Sequence, residues 1–254
     1  MEISEAQFKQ IEHCLPLQRG NVSLSNRTVL NAILYVTEHG CKWRGLPKRF
    51  GNWHTIYTRM SRWSKSGVLD RVFEQLQRQQ IVRIRVEAVS LDSTSVKVHP
   101  DGMGAPKKNG PQSVGKSRGG WTTKIHMVAA DARTAITFAL SPGQAHDAVE
   151  GRKLMRAMGE ASVPLHLLMD RAYEGDETRQ LALDLGYAPV VPPKSTRLEP
   201  WEYNRQMYKR RNEIERLFRR LKGFRRIFSR FEKLDEMFVG FIHFALIVEA
   251  LRLC

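Results

Sequence analysis

Three carboxylates in this 254-residue sequence are placed where they could hold metal ions. Asp92 lies within VEAVSLDSTSVKV, a segment whose alternation and β-branched residues predict a strand. Asp170 ends the short apolar run HLLMD, which predicts a second strand. A charge inside a central strand is costly unless it is paired or bound to a metal, and ligand-binding residues gather at the carboxyl ends of strands. Because Mg²⁺ prefers oxygen ligands, the two aspartates are candidate metal ligands.

The third carboxylate is expected on a helix predicted over residues 204–222. With about 100° per residue, four polar residues fall within roughly 60° of one another: Tyr208, Arg211, Glu215 and Lys222. This stripe borders the apolar face of the helix, whereas Glu213 falls on the other side, so Glu215 is the better third ligand. By spacing alone, an ordinary amphipathic helix with surface ion pairs remains the alternative.

The elements that must position these residues alternate from residue 86 onward. Strands are predicted at 86–98, 121–130, 134–140, 165–169 and 187–191, and helices at 146–158, 174–185 and 204–222. Asp147 followed by Glu150 predicts a capping box at the first of these helices. Three strands, helix, strand, helix, strand, helix is an order typical of an α/β domain on a mixed sheet.

Residues 1–80 carry a different pattern, which predicts helices throughout. Ser25 and Asn52 are candidate N-caps, and Gly40 is a candidate helix end. Between residues 41 and 65 there are seven basic residues and no Asp or Glu. Short turns and charge of one sign favour a helix-turn-helix-like DNA-binding module, and a solvated basic face is the alternative. The residues predicted to contact DNA here are Lys42, Arg44, Lys48 and Arg49.

The overall composition points to a polyanionic partner. Lys and Arg number 41 against 26 Asp and Glu, a formal net charge of +15, and a hydrophobic content of 42% allows a substantial core. Three cysteines cannot form a disulfide framework, so a cytoplasmic location is expected. The apolar stretch 237–253 is too short and too interrupted to span a bilayer, and we expect a buried helix and no membrane partner.

The motifs around the carboxylates resemble those of bacterial DDE transposases encoded by insertion sequences. Tyr208, Arg211, Glu215 and Lys222 match the Y-x2-R-x3-E-x6-K signature, and Asp170-Arg171-Ala172-Tyr173 matches the D-x-[GA]-[YF] pattern around the second carboxylate. The segment KSRGGWTTKIH, which contains Arg118 and Lys124, is similar to the one that follows the first aspartate. WRGLPKRFGNWHTIYTRMSRW resembles the N-terminal module of the insertion-sequence-five group.

This resemblance implies a fold and an activity. The fold would be RNase H-like, a mixed five-stranded sheet flanked by helices over residues 83–254, with a DNA-binding module over 1–82 and no large insertion between Asp170 and Glu215. Asp92 would bridge two divalent cations, Mg²⁺ or Mn²⁺ as its substitute, with Asp170 on one and Glu215 on the other. Tyr208, Arg211 and Lys222 would grip a phosphate, and Arg118 and Lys124 are predicted DNA contacts.

The resemblance also implies partners and a place of action. The protein would bind the terminal inverted repeats of its element, cleave the donor DNA and transfer the strands to target DNA, as a homodimer in the synaptic complex. It would work in the bacterial cytoplasm, associated with the nucleoid. Two alternatives remain: an RNase H-fold nuclease or resolvase, which shares the carboxylates, and a catalytically silent DNA-binding regulator.

Overall fold

The computed structural model describes residues 2–20, 22–81, 86–106 and 109–252. The chain divides into two compact units. Unit 1 comprises residues 1–80, 97–112 and 220–254, and unit 2 comprises residues 81–96 and 113–219. The domain boundary predicted at residues 82/83 lies outside the described residues, and the last 35 residues group with unit 1 rather than with unit 2.

The predicted strands occur in the expected order along the chain and belong to one mixed sheet. Its strands are β1 (Ala88–Val98), β2 (Gly115–Ser117), β3 (Gly120–Ala129), β4 (Ala135–Pro142), β5 (Leu165–Met169), β6 (Tyr187–Val190) and β7 (Ser229–Arg230). The spatial order is β2-β3-β1-β5-β6, with β4 beside β3 and β7 beside the end of β1. The five predicted strands are present, and β2 and β7 are additions, because strands of three and two residues are too short to show an alternating pattern.

The register of the parallel strands brings two of the carboxylates together. β1 pairs with β5 in parallel, with Leu91 opposite Met169. Asp92 and Asp170 are the next residues along the two strands. They therefore lie just beyond the last residue pair of the β1–β5 ladder, side by side at the same end. β5 pairs in parallel with β6, and β3 pairs with β4 in antiparallel fashion.

Helices pack against both faces of this sheet. On one face, α5 (Asp147–Met158) and α6 (Asp176–Asp184) contribute to the main hydrophobic cluster. Gly151 of α5 faces the Tyr173 ring so closely that a side chain there would overlap it. On the other face, Ala88, Leu168 and Val190 pack against residues around α7 (Arg205–Lys209).

The helix predicted over residues 204–222 is broken. α7 ends at Lys209, and α8 begins at Asn212 and ends at Gly223. Across the break the backbone bonds are tighter than in an α-helix, since the Arg211 N–H donates to Tyr208 O at 3.0 Å and the Ile214 N–H donates to Arg211 O at 3.2 Å. Periodicity continues through such a tight turn, so the sequence pattern does not reveal it.

The predicted capping box at α5 is wrong. His146 is the N-cap and makes no side-chain cap hydrogen bond. The Asp147 carboxylate instead accepts a 2.8 Å hydrogen bond from Lys124 Nζ, which also donates to the carbonyl of Ala145. A long-range ion pair has replaced the local cap.

The described part of residues 2–81 contains helices as its regular elements, as predicted. They are α1 (Glu5–Ile11), α2 (Asn26–His39), α3 (Trp53–Lys65) and α4 (Val68–Ile81), with short 3-10 turns between them. Ser25 and Asn52 cap α2 and α3, and Gly40 ends α2 with φ 68°. Unit 1 also contains α9 (Arg225–Phe228) and α10 (Asp235–Leu251).

The predicted buried helix near the C-terminus is α10. It packs on α3, where Gly240 lies so close to Ser64 that a side-chain carbon would overlap the serine hydroxyl. In the part of the chain that the structure describes, no helix is both long and apolar enough to cross a membrane.

Candidate active site

Arg211 joins the first and third predicted carboxylates. Its Nη1 donates to Asp92 Oδ2 at 2.6 Å and its Nη2 donates to Glu215 Oε1 at 2.5 Å. The side chains of Arg211 and Asp92 are 18% and 13% exposed, whereas Glu215 is 40% exposed. The tight turn before α8 places the guanidinium between the two carboxylates, where it supplies positive charge.

The Asp92 carboxylate is close enough to the other two carboxylates for their charges to affect its pKa. Burial raises this pKa to about 6, while the Ser93 N–H and the Arg211 guanidinium act to lower it. Asp170 and Glu215 both raise it, because each carries like charge near the Asp92 carboxylate. A buried carboxylate with two acidic neighbours would be stabilised in its ionised form by further positive charge.

Tyr173, three residues after Asp170, is buried in the main hydrophobic cluster. It is 1% exposed, and burial together with the charges of Asp147 and Asp92 raises the pKa of its hydroxyl. The phenol is therefore neutral, and its ring fills the space between α5 and the strand that carries Asp92. Its influence on the site is to hold the surrounding elements in place.

The donor set suits hard divalent cations, since Asp92, Asp170 and Glu215 offer carboxylate oxygens. Among the described residues, however, no group of three or more His, Cys, Asp and Glu side chains is arranged to hold a metal ion. The Arg211 guanidinium takes up one oxygen of Asp92 and one of Glu215. The residues therefore fit the chemistry of a metal site, and a change in the Arg211 contacts would be needed to complete one.

Glu213 and Glu215 have different partners, as expected from their predicted positions on different sides of the helix. Glu213 pairs with Arg216 at 3.1 Å, whereas Glu215 pairs with Arg211. Tyr208 lies beside Arg211, whose guanidinium carbon is 5.8 Å from the centre of the ring. Lys222 lies in α8 seven residues after Glu215, and burial lowers its pKa.

The predicted DNA contacts of the N-terminal segment are at the surface. Lys42, Arg44, Lys48 and Arg49 are all exposed. The guanidinium of Arg44 lies over the Trp53 ring at 5.5 Å, and that of Arg49 lies over the Phe50 ring at 4.8 Å. Stacked guanidinium groups of this kind keep their charge available to phosphates while their position is fixed.

The two predicted contacts from KSRGGWTTKIH differ in surroundings. Arg118 is exposed. Lys124 is only 16% exposed and is held by Asp147 and the Ala145 carbonyl. Sequence reasoning missed this pair, because 23 residues separate its members and no local spacing connects them.

Comparison with known families gives two matches. The model described as "Transposase DDE domain" matches residues 87–248, which include all three carboxylates. The model described as "Putative transposase of IS4/5 family" matches residues 3–73, which include the basic segment.

Similar proteins include two from bacteria. The chain is 30% identical over 125 residues to the "Putative transposase for insertion sequence element IS6501" of Brucella ovis, a match that covers 49% of this chain and 94% of the relative. It is 35% identical over 86 residues to "Uncharacterized protein y4sN" of Sinorhizobium fredii. That match covers 34% of this chain and 66% of the relative, just under two thirds of its length.

Solved structures are similar only at a low level. The "Crystal structure of the Mos1 mariner paired end complex with Mn" has a TM-score of 0.32 at 10% identity, covering 98% of this chain and 83% of that one. The "Crystal structure of a pre-cleavage Mos1 transpososome" has a TM-score of 0.28 at 11% identity, covering 72% of this chain and 65% of that one. Scores of this size carry no argument about the fold.

Proposed function

Because the chain belongs to the Transposase DDE domain family, we propose that it is a DNA transposase that acts on the ends of its own insertion sequence. It binds the terminal inverted repeats, cleaves the DNA there and joins the freed ends to target DNA. The observation that carries the proposal is the placement of Asp92 and Asp170 side by side, with Glu215 linked to Asp92 through Arg211.

The finer family assignment rests on the motif residues. Tyr208, Arg211, Glu215 and Lys222 keep the spacing of the Tyr-Arg-Glu-Lys signature of the insertion-sequence-five group. The strand order, with β4 and β3 on one side of β1 and β5 and β6 on the other, supports an RNase H-like fold for the sheet. Between Asp170 and the start of α8, which carries Glu215, the chain forms α6, β6 and α7. This short succession of elements is in keeping with the absence of a large insertion.

Asp92, Asp170 and Glu215 are the residues that would hold two divalent cations, Mg²⁺ or Mn²⁺ as its substitute. When bound, such cations lower the pKa of an attacking water or 3′-hydroxyl and stabilise the leaving oxygen. On binding DNA, Arg211 would leave the carboxylates and, with Tyr208 and Lys222, grip a phosphate of the DNA end. This contact fixes the position of the scissile bond, and no side chain attacks covalently.

The partners follow from the charge and from the family. A net charge of +15 suits double-stranded DNA, both the element ends and the target. The exposed residues Lys42, Arg44, Lys48 and Arg49 form the DNA-binding surface of a helix-turn-helix-like module over residues 1–82. Two copies of the chain bring two ends together in the synaptic complex, in the cytoplasm and on the nucleoid.

The first prediction tests the carboxylates in the full chain. Asp92→Asn, Asp170→Asn and Glu215→Gln should each lower Mg²⁺-dependent cleavage of a duplex carrying the element end by at least about a thousandfold. DNA affinity, measured by titration at the same salt concentration, should change little, because these residues would hold the metals rather than contact the phosphates.

Glu213→Gln is the matched control, since Glu213 lies on the same helix but pairs with Arg216. It should cleave like the wild type. Normal cleavage by any of the first three variants would show that the substituted residue is not part of the active site. Cleavage without strand transfer would indicate a nuclease or resolvase, and binding without cleavage would indicate a silent regulator.

A further inference from the structure

A largely buried ion pair joins β3 to the start of α5. Lys124 Nζ donates to Asp147 Oδ1 at 2.8 Å and to the carbonyl of Ala145 at 2.8 Å. The side chains of Lys124 and Asp147 are only 16% and 25% exposed. Removing one member of such a pair leaves the other charge without compensation, so the pair is a strong link between the sheet and the helix.

Lys124 is the positive charge that balances Asp147. His126, two residues along β3 and on the same face, is fully buried, and its Nε2 lies 2.8 Å from Ser141 Oγ. Burial lowers the pKa of His126, although the charges of Asp147 and Glu150 oppose the shift, so the imidazole is neutral at pH 7. The ammonium group of Lys124 therefore neutralises the first residue of α5.

The position of α5 reaches the two aspartates through direct packing. A side-chain carbon at Gly151, on the next turn of α5, would lie 2.5 Å from the Tyr173 ring and 3.2 Å from the Leu91 side chain. Leu91 precedes Asp92, and Tyr173 follows Asp170 by three residues. Because protein interiors are closely packed, a shift of α5 would displace these neighbours of the aspartates.

Asp147 also lies within electrostatic range of this region. Burial raises the pKa of the Tyr173 hydroxyl, and the charges of Asp147 and Asp92 raise it further. Without Lys124, the Asp147 carboxylate would add an uncompensated negative charge near Asp92. Both the packing and the charge therefore depend on the Lys124–Asp147 pair.

We propose that Lys124 and Asp147 are positioning residues of the active site. The pair fixes the first turn of α5, and α5 holds in place the strand ends that carry Asp92 and Asp170. This gives Lys124 a role inside the protein in place of the DNA contact expected from the sequence. The inference rests on the proposed function, since DNA cleavage is the reaction that needs the two aspartates in fixed positions.

The experiment measures single-turnover cleavage of an end duplex by the full chain, at a protein concentration that saturates the duplex. Lys124→Met and Asp147→Ala should each lower the rate by about a hundredfold, the effect of misplacing reacting groups by about an ångström. DNA affinity and its salt dependence, titrated with Asp92→Asn added to prevent cleavage, should stay those of the Asp92→Asn protein.

A direct phosphate contact by Lys124 would give a different result. Lys124→Met would then weaken DNA binding and reduce the slope of log affinity against log salt concentration by about one. Asp147→Ala would free Lys124 for the phosphate and leave cleavage intact. Either result would overturn the inference.

The double variant Lys124→Met with Asp147→Ala tests whether the two residues act as one unit. It should cleave no more slowly than either single variant, because the same positioning is lost in each. If the two losses instead multiply to about ten thousandfold, the residues act independently and the inference is wrong.

Lys153→Met is the matched control. Lys153 also lies on α5 and pairs with a carboxylate, Glu150, at 2.9 Å, but it is 65% exposed. This variant should cleave at the wild-type rate. A loss equal to that of Lys124→Met would show that any charge on α5 has this effect, and the inference would fail.

Hydrogen exchange separates positioning from general stability. In Lys124→Met, the amides of α5 and of residues 171–173 should exchange faster than in the wild type, while those of α10 keep their protection. Faster exchange to the same extent in all three segments would show an effect on global stability alone and would contradict positioning.

Asp147→Asn decides the matter if Lys124→Met or Asp147→Ala does not fold. It keeps the shape of the side chain and one acceptor oxygen but loses the charge, and it should lower cleavage by about tenfold. A wild-type rate in Asp147→Asn would overturn the inference. Failure of the proposed function would appear instead as normal cleavage by the Asp92, Asp170 and Glu215 variants, so the two failures are distinguishable.

Discussion

At the scale of single residues, Arg211 has the most consequential position. It lies in the tight turn between α7 and α8 and bonds to both Asp92 and Glu215. Before DNA binds, its positive charge reduces the repulsion between these carboxylates. A phosphate that draws Arg211 away would leave the carboxylates free for cations, so DNA binding and metal binding are expected to support each other.

The second prediction concerns this stripe. Arg211→Ala and Lys222→Ala should lower cleavage by about a hundredfold, because misplacing the scissile bond by about an ångström has an effect of that order. Overall DNA affinity should fall far less, since the chain has many other basic residues between 205 and 230. The measurement is end cleavage beside a binding titration at the same salt concentration.

The control for this prediction is Arg219→Ala. Arg219 is exposed on α8, whereas Arg220 lies 3.8 Å from the buried Glu249 and its removal would also affect stability. Arg219→Ala should weaken binding mildly and leave cleavage of bound DNA intact. If it lowers cleavage as much as Lys222→Ala does, the phosphate is not bound specifically by the face of α8 that carries Glu215 and Lys222.

The third prediction uses the buried pair of Arg226 and Glu232. Their side chains are 3.0 Å apart, and burial raises the pKa of Glu232 to about 7, although Arg226 opposes the shift. Between the ordinary pKa of 4.5 and about 7, the folded protein keeps a proton that the unfolded chain releases. Stability is therefore lost as the pH rises through this window.

Glu232→Gln should remove that dependence. The free energy of unfolding of the wild type should fall by about 1–3 kcal/mol more than that of the variant between about pH 5 and about pH 7.5, measured by urea denaturation. Glu74→Gln, an exposed substitution, should follow the wild type. Parallel curves for wild type and Glu232→Gln would show that Glu232 has an ordinary pKa.

At the scale of elements, we propose that the basic segment before α3 contributes to DNA affinity. Arg44 and Arg49 stack on aromatic rings and so have a structural role as well as a charge. Lys42 and Lys48 are exposed lysines and are the cleaner probes. Since α10 packs on α3 at Gly240, residues 1–80 expressed alone would lack part of their packing, and the full chain is the proper test.

The fourth prediction follows from this segment. Lys42→Ala with Lys48→Ala, in the full chain with Asp92→Asn, should weaken binding to the element end and reduce the slope of log affinity against log salt concentration by about one for each lost phosphate contact. Lys9→Ala, an exposed lysine of α1, is the control and should keep the wild-type slope. An unchanged slope in the double variant would exclude this segment from the DNA interface.

At the scale of the whole molecule, the proposed reaction requires two DNA ends to be cut in one complex. The fifth prediction is that the full chain with Asp92→Asn, mixed with end duplexes, forms an assembly of two chains and two duplexes. Light scattering after size exclusion measures the mass, and a duplex of unrelated sequence serves as the control. Complexes of one chain with one duplex at every concentration would contradict synapsis by a homodimer.

The sequence by itself determined the local elements and the identity of the candidate ligands. Periodicity located the five main strands and α5, α6 and α10, and the caps at Ser25 and Asn52 marked helix starts. These features depend on neighbours within a few residues, so their signals are local. The carboxylates Asp92, Asp170 and Glu215 followed from those elements and from the motif spacing.

Only the tertiary structure decided how these residues meet. The β1–β5 register places Asp92 beside Asp170, the break before α8 turns Arg211 onto two carboxylates, and Lys124 binds Asp147 instead of leaving it to cap α5. Each of these contacts joins residues far apart in the chain, or depends on a turn that keeps the helical period. Their energies come from burial and charge in the folded state, which a pattern of neighbouring residues does not record.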